Sequence, residues 1–235
     1  MLRHTQGGGD DTAPDSPAAR GLTVGGLREL LATLSSHRLV FHSERDFQHA
    51  LAWQVHLHHP DGAIRLETRP LPGRPVFLDL AVTLAGRRAA IELKYLVRAL
   101  TTTVNGEQFK LRDQSAQDLG RYDIVKDIAR LEELVAARAA DIGYAVVLSN
   151  DPLYWQPSKK PSPADAAFRL DEGRTLTGLL AWGVSAGAGT MRGREAAISL
   201  AGRYRLAWSD YSDLGVGPAR RFRYLLLEVT TPAAA

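Results

Sequence analysis

The stretch Phe77–Leu96, FLDLAVTLAGRRAAIELKYL, decides how this chain is read. Two largely apolar runs flank Ala85-Gly86-Arg87, the composition of two strands around a tight turn. Inside the runs stand three ionisable residues, Asp79, Glu92 and Lys94. Side chains alternate across a strand, so Glu92 and Lys94 share one face while Ile91, Leu93 and Tyr95 take the other. With the turn near Ala85–Arg87, Asp79 falls opposite the Glu92–Lys94 stretch. Asp is disfavoured in strands and costly when buried without a partner. The three residues call for one explanation.

Two carboxylates at that separation repel each other and become tolerable with a divalent cation between them. Mg²⁺ suits such a site, because it takes few protein carboxylates and completes its octahedron with water and phosphate oxygens. A lysine two residues from Glu92 can then orient a metal-bound water or stabilise charge on a phosphoryl group. The simpler reading is a same-face Glu92–Lys94 ion pair on a solvated strand, worth about 0–1 kcal/mol. It leaves Asp79 unexplained.

Outward from this hairpin the elements are legible. Upstream, Ser43 followed by Asp46 resembles a capping box, and Phe47, Leu51 and Val55 give a helix one apolar face. Pro60-Asp61-Gly62 ends it, and AIRLETRP is a further short strand. A short amphipathic helix is expected from about Leu27. Downstream, after a polar loop, Ile124, Ile128, Leu131 and Val135 keep a 3.6-residue period over a long helix. YAVVLSND then has the continuous apolar look of a buried central strand. The fold class is α/β, in the order helix, three strands, helix, strand.

That order, with Asp79, a turn and then Glu92-Leu93-Lys94, resembles the PD-(D/E)xK nuclease superfamily from about His37 to Asp151. The resemblance implies a restriction-endonuclease-like αβββαβ core with a mixed central sheet flanked by helices. It implies a Mg²⁺-dependent nuclease, with Mn²⁺ as a substitute, acting on DNA in preference to RNA. By position Asp79 and Glu92 would hold the metal and Lys94 would assist the attacking water. Glu44, at the start of the first long helix, resembles the acid that many members add to the metal cluster. Gln114, Asp118 and Arg121 match the helix that members use to touch nucleic acid or support the lysine. Leu78 stands where the family name has Pro. Gln114 and Gln117 lie eight and five residues before Tyr122, so the Gln-x-x-x-Tyr spacing of exonuclease-type members is missing. The alternative is a non-catalytic nucleic-acid-binding or regulatory module on the same fold.

Residues 1–20, rich in Gly, Pro, Asp and Ala, are expected to form a disordered tail ahead of a core over 21–151. From 152 to 235 short strand-like runs alternate with Gly-rich links, a β-rich extension that enlarges the sheet or packs beside it. No apolar run approaches the roughly 20 residues that span a bilayer, so no membrane partner is expected. The chain has no cysteine, which excludes disulfides, thiolate zinc sites and a cysteine nucleophile, and fits a cytoplasmic location. A formal charge of +3 permits a polyanionic partner without requiring one. His56, His58 and His59 crowd a helix end without a carboxylate at ligand spacing, so they read as surface residues rather than a zinc site.

Overall fold

The computed structural model describes residues 21–71, 73, 77–114 and 116–231, so the tail expected over residues 1–20 lies outside the described residues. Helix α1 (Val24–His37) is opened by Thr23, whose side chain accepts the Gly26 N–H. Helix α2 (Glu44–His58) is opened by Ser43, whose hydroxyl accepts the Asp46 N–H at 3.2 Å. The reciprocal half of the expected capping box is displaced by one residue. Asp46 Oδ2 takes the His42 N–H at 2.9 Å, and Arg38 donates to the same carboxylate. Phe47, Leu51 and Val55 are all buried, as their spacing predicts.

Strands β1 (Ala63–Thr68), β2 (Leu78–Leu84) and β3 (Arg87–Leu96) follow as an antiparallel meander. Ala85 and Gly86 both take positive φ, 48° and 76°, the conformation a two-residue hairpin turn needs. The polar loop expected next is instead a second hairpin, β4 (Leu100–Val104) and β5 (Glu107–Leu111). It buries Leu100, Phe109 and Leu111 on one side, and the His42 ring stacks on Phe109 at 4.3 Å. That contact seats the hairpin beside the start of α2.

Helix α3 (Gln117–Ala136) leads to β6 (Ile142–Ser149), which lies parallel to β3 and is buried from Gly143 onward. The β-rich extension divides in two. Strands β7 (Thr175–Leu180) and β8 (Ile198–Arg205) pair with each other on α3. Strands β9 (Trp208–Asp213) and β10 (Arg221–Val229) complete a six-stranded sheet in the order β1-β2-β3-β6-β10-β9. Glu132 of α3 fastens β8, accepting the N–H groups of Ala201 and Gly202 and the Tyr204 hydroxyl at 2.7–2.9 Å.

The architecture is mixed α/β, a mixed central sheet between helices. Leu80, Ile91, Leu93 and Val146 face α1 and α2. Ala90, Ala145, Val147 and Leu227 face α3 and the β7–β8 pair. Among the described residues no helix is long and apolar enough to cross a membrane.

Candidate functional site

The β2–β3 ladder stops at Leu80 opposite Ile91, whereas β3 continues beside β6 as far as Leu96 opposite Ser149. Beyond Ile91 the two strands fork, and backbone N–H groups on the β2 side of β3 need other partners. Two acids supply them. Asp79 Oδ2 accepts the Leu93 N–H at 2.7 Å, and Glu44 Oε2 accepts the Tyr95 N–H at 2.9 Å. Glu44 is the first residue of α2, so this bond fixes the amino end of that helix against β3.

Gln48, one turn further along α2 and buried, donates to Asp79 O at 2.6 Å and to Glu67 Oε1 at 3.2 Å. Glu67 sits in the left-handed region at φ 52°, between the pairs Leu66–Leu80 and Thr68–Leu78. Non-glycine residues seldom adopt that conformation, and Glu67 does so within a strand rather than in a turn.

On β2 and β3 the register sets Ala81 opposite Ala90, which puts Asp79, Glu92 and Lys94 on one face, toward α3. The simple Glu92–Lys94 ion pair is not what forms there. Arg130 of α3 meets both Glu92 oxygens, Nε to Oε1 at 2.9 Å and Nη2 to Oε2 at 2.6 Å. The same Nη2 reaches Asp127 Oδ1 at 2.8 Å. Lys94 Nζ lies 2.9 Å from Asp127 Oδ2 and donates to Leu93 O at 3.2 Å. Each β3 residue is therefore held by a partner one helical turn from the other's.

Charge does not balance in this cluster. Glu44, Asp79, Glu92 and Asp127 face two cations, Lys94 and Arg130. Burial pushes the Glu92 carboxyl up to about 9, with Asp127 and Asp79 adding to the rise and Arg130 opposing it. Burial likewise raises Glu44 and Asp127 above the usual carboxylate range, although Lys94 pulls both down. For Lys94 burial is the largest influence and disfavours the ammonium, but Asp127, Glu44 and Asp79 together outweigh it and hold the pKa above its ordinary value. Acids outnumber cationic partners here, and burial favours a proton on Glu92 in their place.

An all-carboxylate donor set fits a hard divalent cation such as Mg²⁺, which would replace protons that burial favours on these acids. Among the described residues, though, no three acidic or histidine side chains are already closed into a metal-binding group. Arg130 engages both Glu92 oxygens, and the Leu93 and Tyr95 N–H groups engage one oxygen each of Asp79 and Glu44.

Of the residues singled out in the sequence, Asp79, Glu92, Lys94 and Glu44 converge here. Gln114 lies nearby at the end of β3, its Oε1 accepting the Val97 N–H at 3.3 Å. Asp118 is in the first turn of α3 and accepts the Leu119 N–H. Arg121 is placed elsewhere, buried and donating to Asp165 and to Leu153 O. It braces α3 against the segment after β6, enclosed and away from solvent.

Asp127, Arg130 and Gln48 are the residues that sequence reasoning missed. A signal existed for Asp127, which stands three residues after Ile124 on the buried stripe of α3, where an acid needs a partner. Comparisons with models of protein families, with curated proteins and with solved structures find no match.

Proposed function

We propose that this chain is a Mg²⁺-dependent nuclease that hydrolyses phosphodiester bonds of DNA at the β2–β3 fork, with Mn²⁺ as a substitute cation. The observation that carries the reading is the gathering of four carboxylates from α2, β2, β3 and α3 around the end of β3 where a strand pair splays apart, two on backbone N–H groups and two on Lys94 and Arg130. In this reading α2-β1-β2-β3-α3-β6 is a restriction-endonuclease-like core with the β4–β5 hairpin inserted. The preference for DNA follows the resemblance to PD-(D/E)xK enzymes, and a cytoplasmic setting rests on the absence of cysteine.

Asp79, Glu92 and Glu44 would hold the cation, which when bound lowers the pKa of water and offsets charge on the phosphate. Lys94 positions the attacking water, and its ammonium stays charged because Asp127 faces it at 2.9 Å. Asp127 acts through Lys94 and is a positioning residue. Gln48 holds the β2 backbone at Asp79, so the first acid keeps its place at the mouth of the fork. Hydrolysis joins the water oxygen to phosphorus and breaks the bond to the departing sugar oxygen, which ends with a proton.

The pairing of both Glu92 and Lys94 with α3 favours one other reading, a nucleic-acid-binding or regulatory module without catalysis. A cleavage assay separates the two. Purified protein with Mg²⁺ or Mn²⁺ should nick or degrade DNA and should be inert in EDTA. Asp79→Ala, Glu92→Ala and Lys94→Ala should each lower the rate by about 10²-fold or more. Activity that survives all three single substitutions would dismiss this site, and an inert wild type would favour the binding module.

A further inference from the structure

Arg130 borders two places at once. Its guanidinium holds both oxygens of Glu92, and the same side chain lines a cleft of about 600 Å³ between α3 and the start of β8. Lys126, one turn earlier on α3, also lines that cleft, as do Phe77, two residues before Asp79, and Glu133. The Arg130 side chain keeps 22 % of its surface exposed, whereas Glu92 keeps 2 %. The exposed part of Arg130 faces the cleft while Glu92 is enclosed, although Asp127 Oδ1 also holds Arg130 Nη2 at 2.8 Å.

A guanidinium presents parallel N–H donors that fit a carboxylate and a phosphate equally well. While it grips Glu92 in two-point fashion, it occupies the lone pairs that a cation would need. Lys94 is less able to reach a phosphate, since Asp127 and Leu93 O already engage it. Arg130 is the cation that a divalent ion would displace.

Resting on the nuclease reading above, we propose that Arg130 is a catalytic residue that exchanges Glu92 for a phosphate of the substrate. Without a cation it neutralises Glu92 and keeps the site latched. With Glu92 engaged in holding a cation, the guanidinium would be free to turn to the cleft and bind a non-bridging oxygen of the phosphodiester, alongside Lys126. No bond to Arg130 forms or breaks; it offsets charge on the group being transferred. The cleft is then the track for the nucleic acid strand next to the cut.

The proposal makes two effects of one substitution run in opposite directions. Arg130→Met keeps the apolar stem and removes the competitor, so Mn²⁺ should bind more tightly, by about tenfold. Cleavage at saturating Mn²⁺ should nevertheless fall by about 10²-fold, in the rate constant rather than in metal demand. Melting midpoints followed through a Mn²⁺ titration report the affinity without any substrate, and single-turnover cleavage reports the rate. Arg130→Lys keeps a charge without the fork and covers the case in which the methionine variant does not fold. It should show the same pair of changes at smaller size. Mn²⁺ affinity that is unchanged or weaker in these variants, or cleavage that is unchanged once Mn²⁺ saturates, would overturn the exchange while leaving the nuclease intact. A wild type that neither responds to Mn²⁺ nor cuts DNA would instead remove the nuclease reading, and this proposal with it.

Discussion

Asp79 Oδ2 accepts the Leu93 N–H at 2.7 Å, just past the last rung at which β2 and β3 pair through their backbones. A side chain thus continues the ladder where the strand has left it. The carboxylate gains a fixed orientation from a bond that would otherwise be a sheet bond, and the opened strands leave room between them. Glu44 repeats the device two residues further along β3, from a helix rather than a strand.

This relationship separates charge from hydrogen bonding at Asp79. Asp79→Asn keeps an oxygen for the Leu93 N–H and should hold metal-free stability within about 1 kcal/mol of the wild type. Asp79→Ala orphans that N–H and should cost about 1–3 kcal/mol. Denaturant melts in EDTA make the comparison. Equal losses in both variants would mean that the bond contributes nothing.

The pH dependence of metal-free stability follows from the raised carboxyl groups. Glu92, Glu44 and Asp127 all bind protons more tightly folded than unfolded. Between the ordinary carboxyl range near 4.5 and the Glu92 value of about 9, the folded state holds more protons. This contribution is therefore complete at the acid end of that window and is lost as pH rises through it. Glu92→Gln mimics the protonated group, so its stability relative to wild type should grow between pH 5 and pH 9. Melts across that range test the sign. A variant that loses ground as pH rises would show that Arg130 outweighs burial at Glu92.

How much of this was legible in the sequence differs by element. The alternation in Ile91-Glu92-Leu93-Lys94-Tyr95 places two charged side chains on one face of β3 without further help, and the structure keeps that face. Their partners were hidden because Asp127 and Arg130 reach them across the sheet–helix interface, a contact that no spacing along the chain encodes. The β4–β5 hairpin is masked by its Thr, Gln and Lys residues, although Asn105-Gly106 is a favoured turn pair and takes φ 50° and 83°. The insertion of β10 between β6 and β9 depends on which sheet edge remains open, which is a property of the assembled fold. Arg121 shows the opposite failure. Its place at the edge of an apolar stripe suggested a solvent or ligand face, but the segment after β6 covers it and Asp165 neutralises it.

The C-terminal strands should be separable from the site energetically. Glu132→Ala removes the acceptor for Ala201 N–H, Gly202 N–H and the Tyr204 hydroxyl. It should cost about 1–3 kcal/mol in stability and leave the response to divalent cations as in the wild type. Paired melts with EDTA and with Mg²⁺ read both quantities, and a lost cation response would mean that the β7–β8 pair shapes the fork.

The central claim is that Asp79, Glu92 and Glu44 form a divalent-cation site at the fork, and calorimetric titration of the metal-free protein with Mn²⁺ tests it most directly. Wild type should bind the ion and release protons as Glu92 ionises. Asp79→Asn and Glu92→Gln should each weaken binding at least about tenfold, the loss of one carboxylate ligand. Absence of binding up to millimolar Mn²⁺, or binding that both substitutions leave unchanged, would contradict the account.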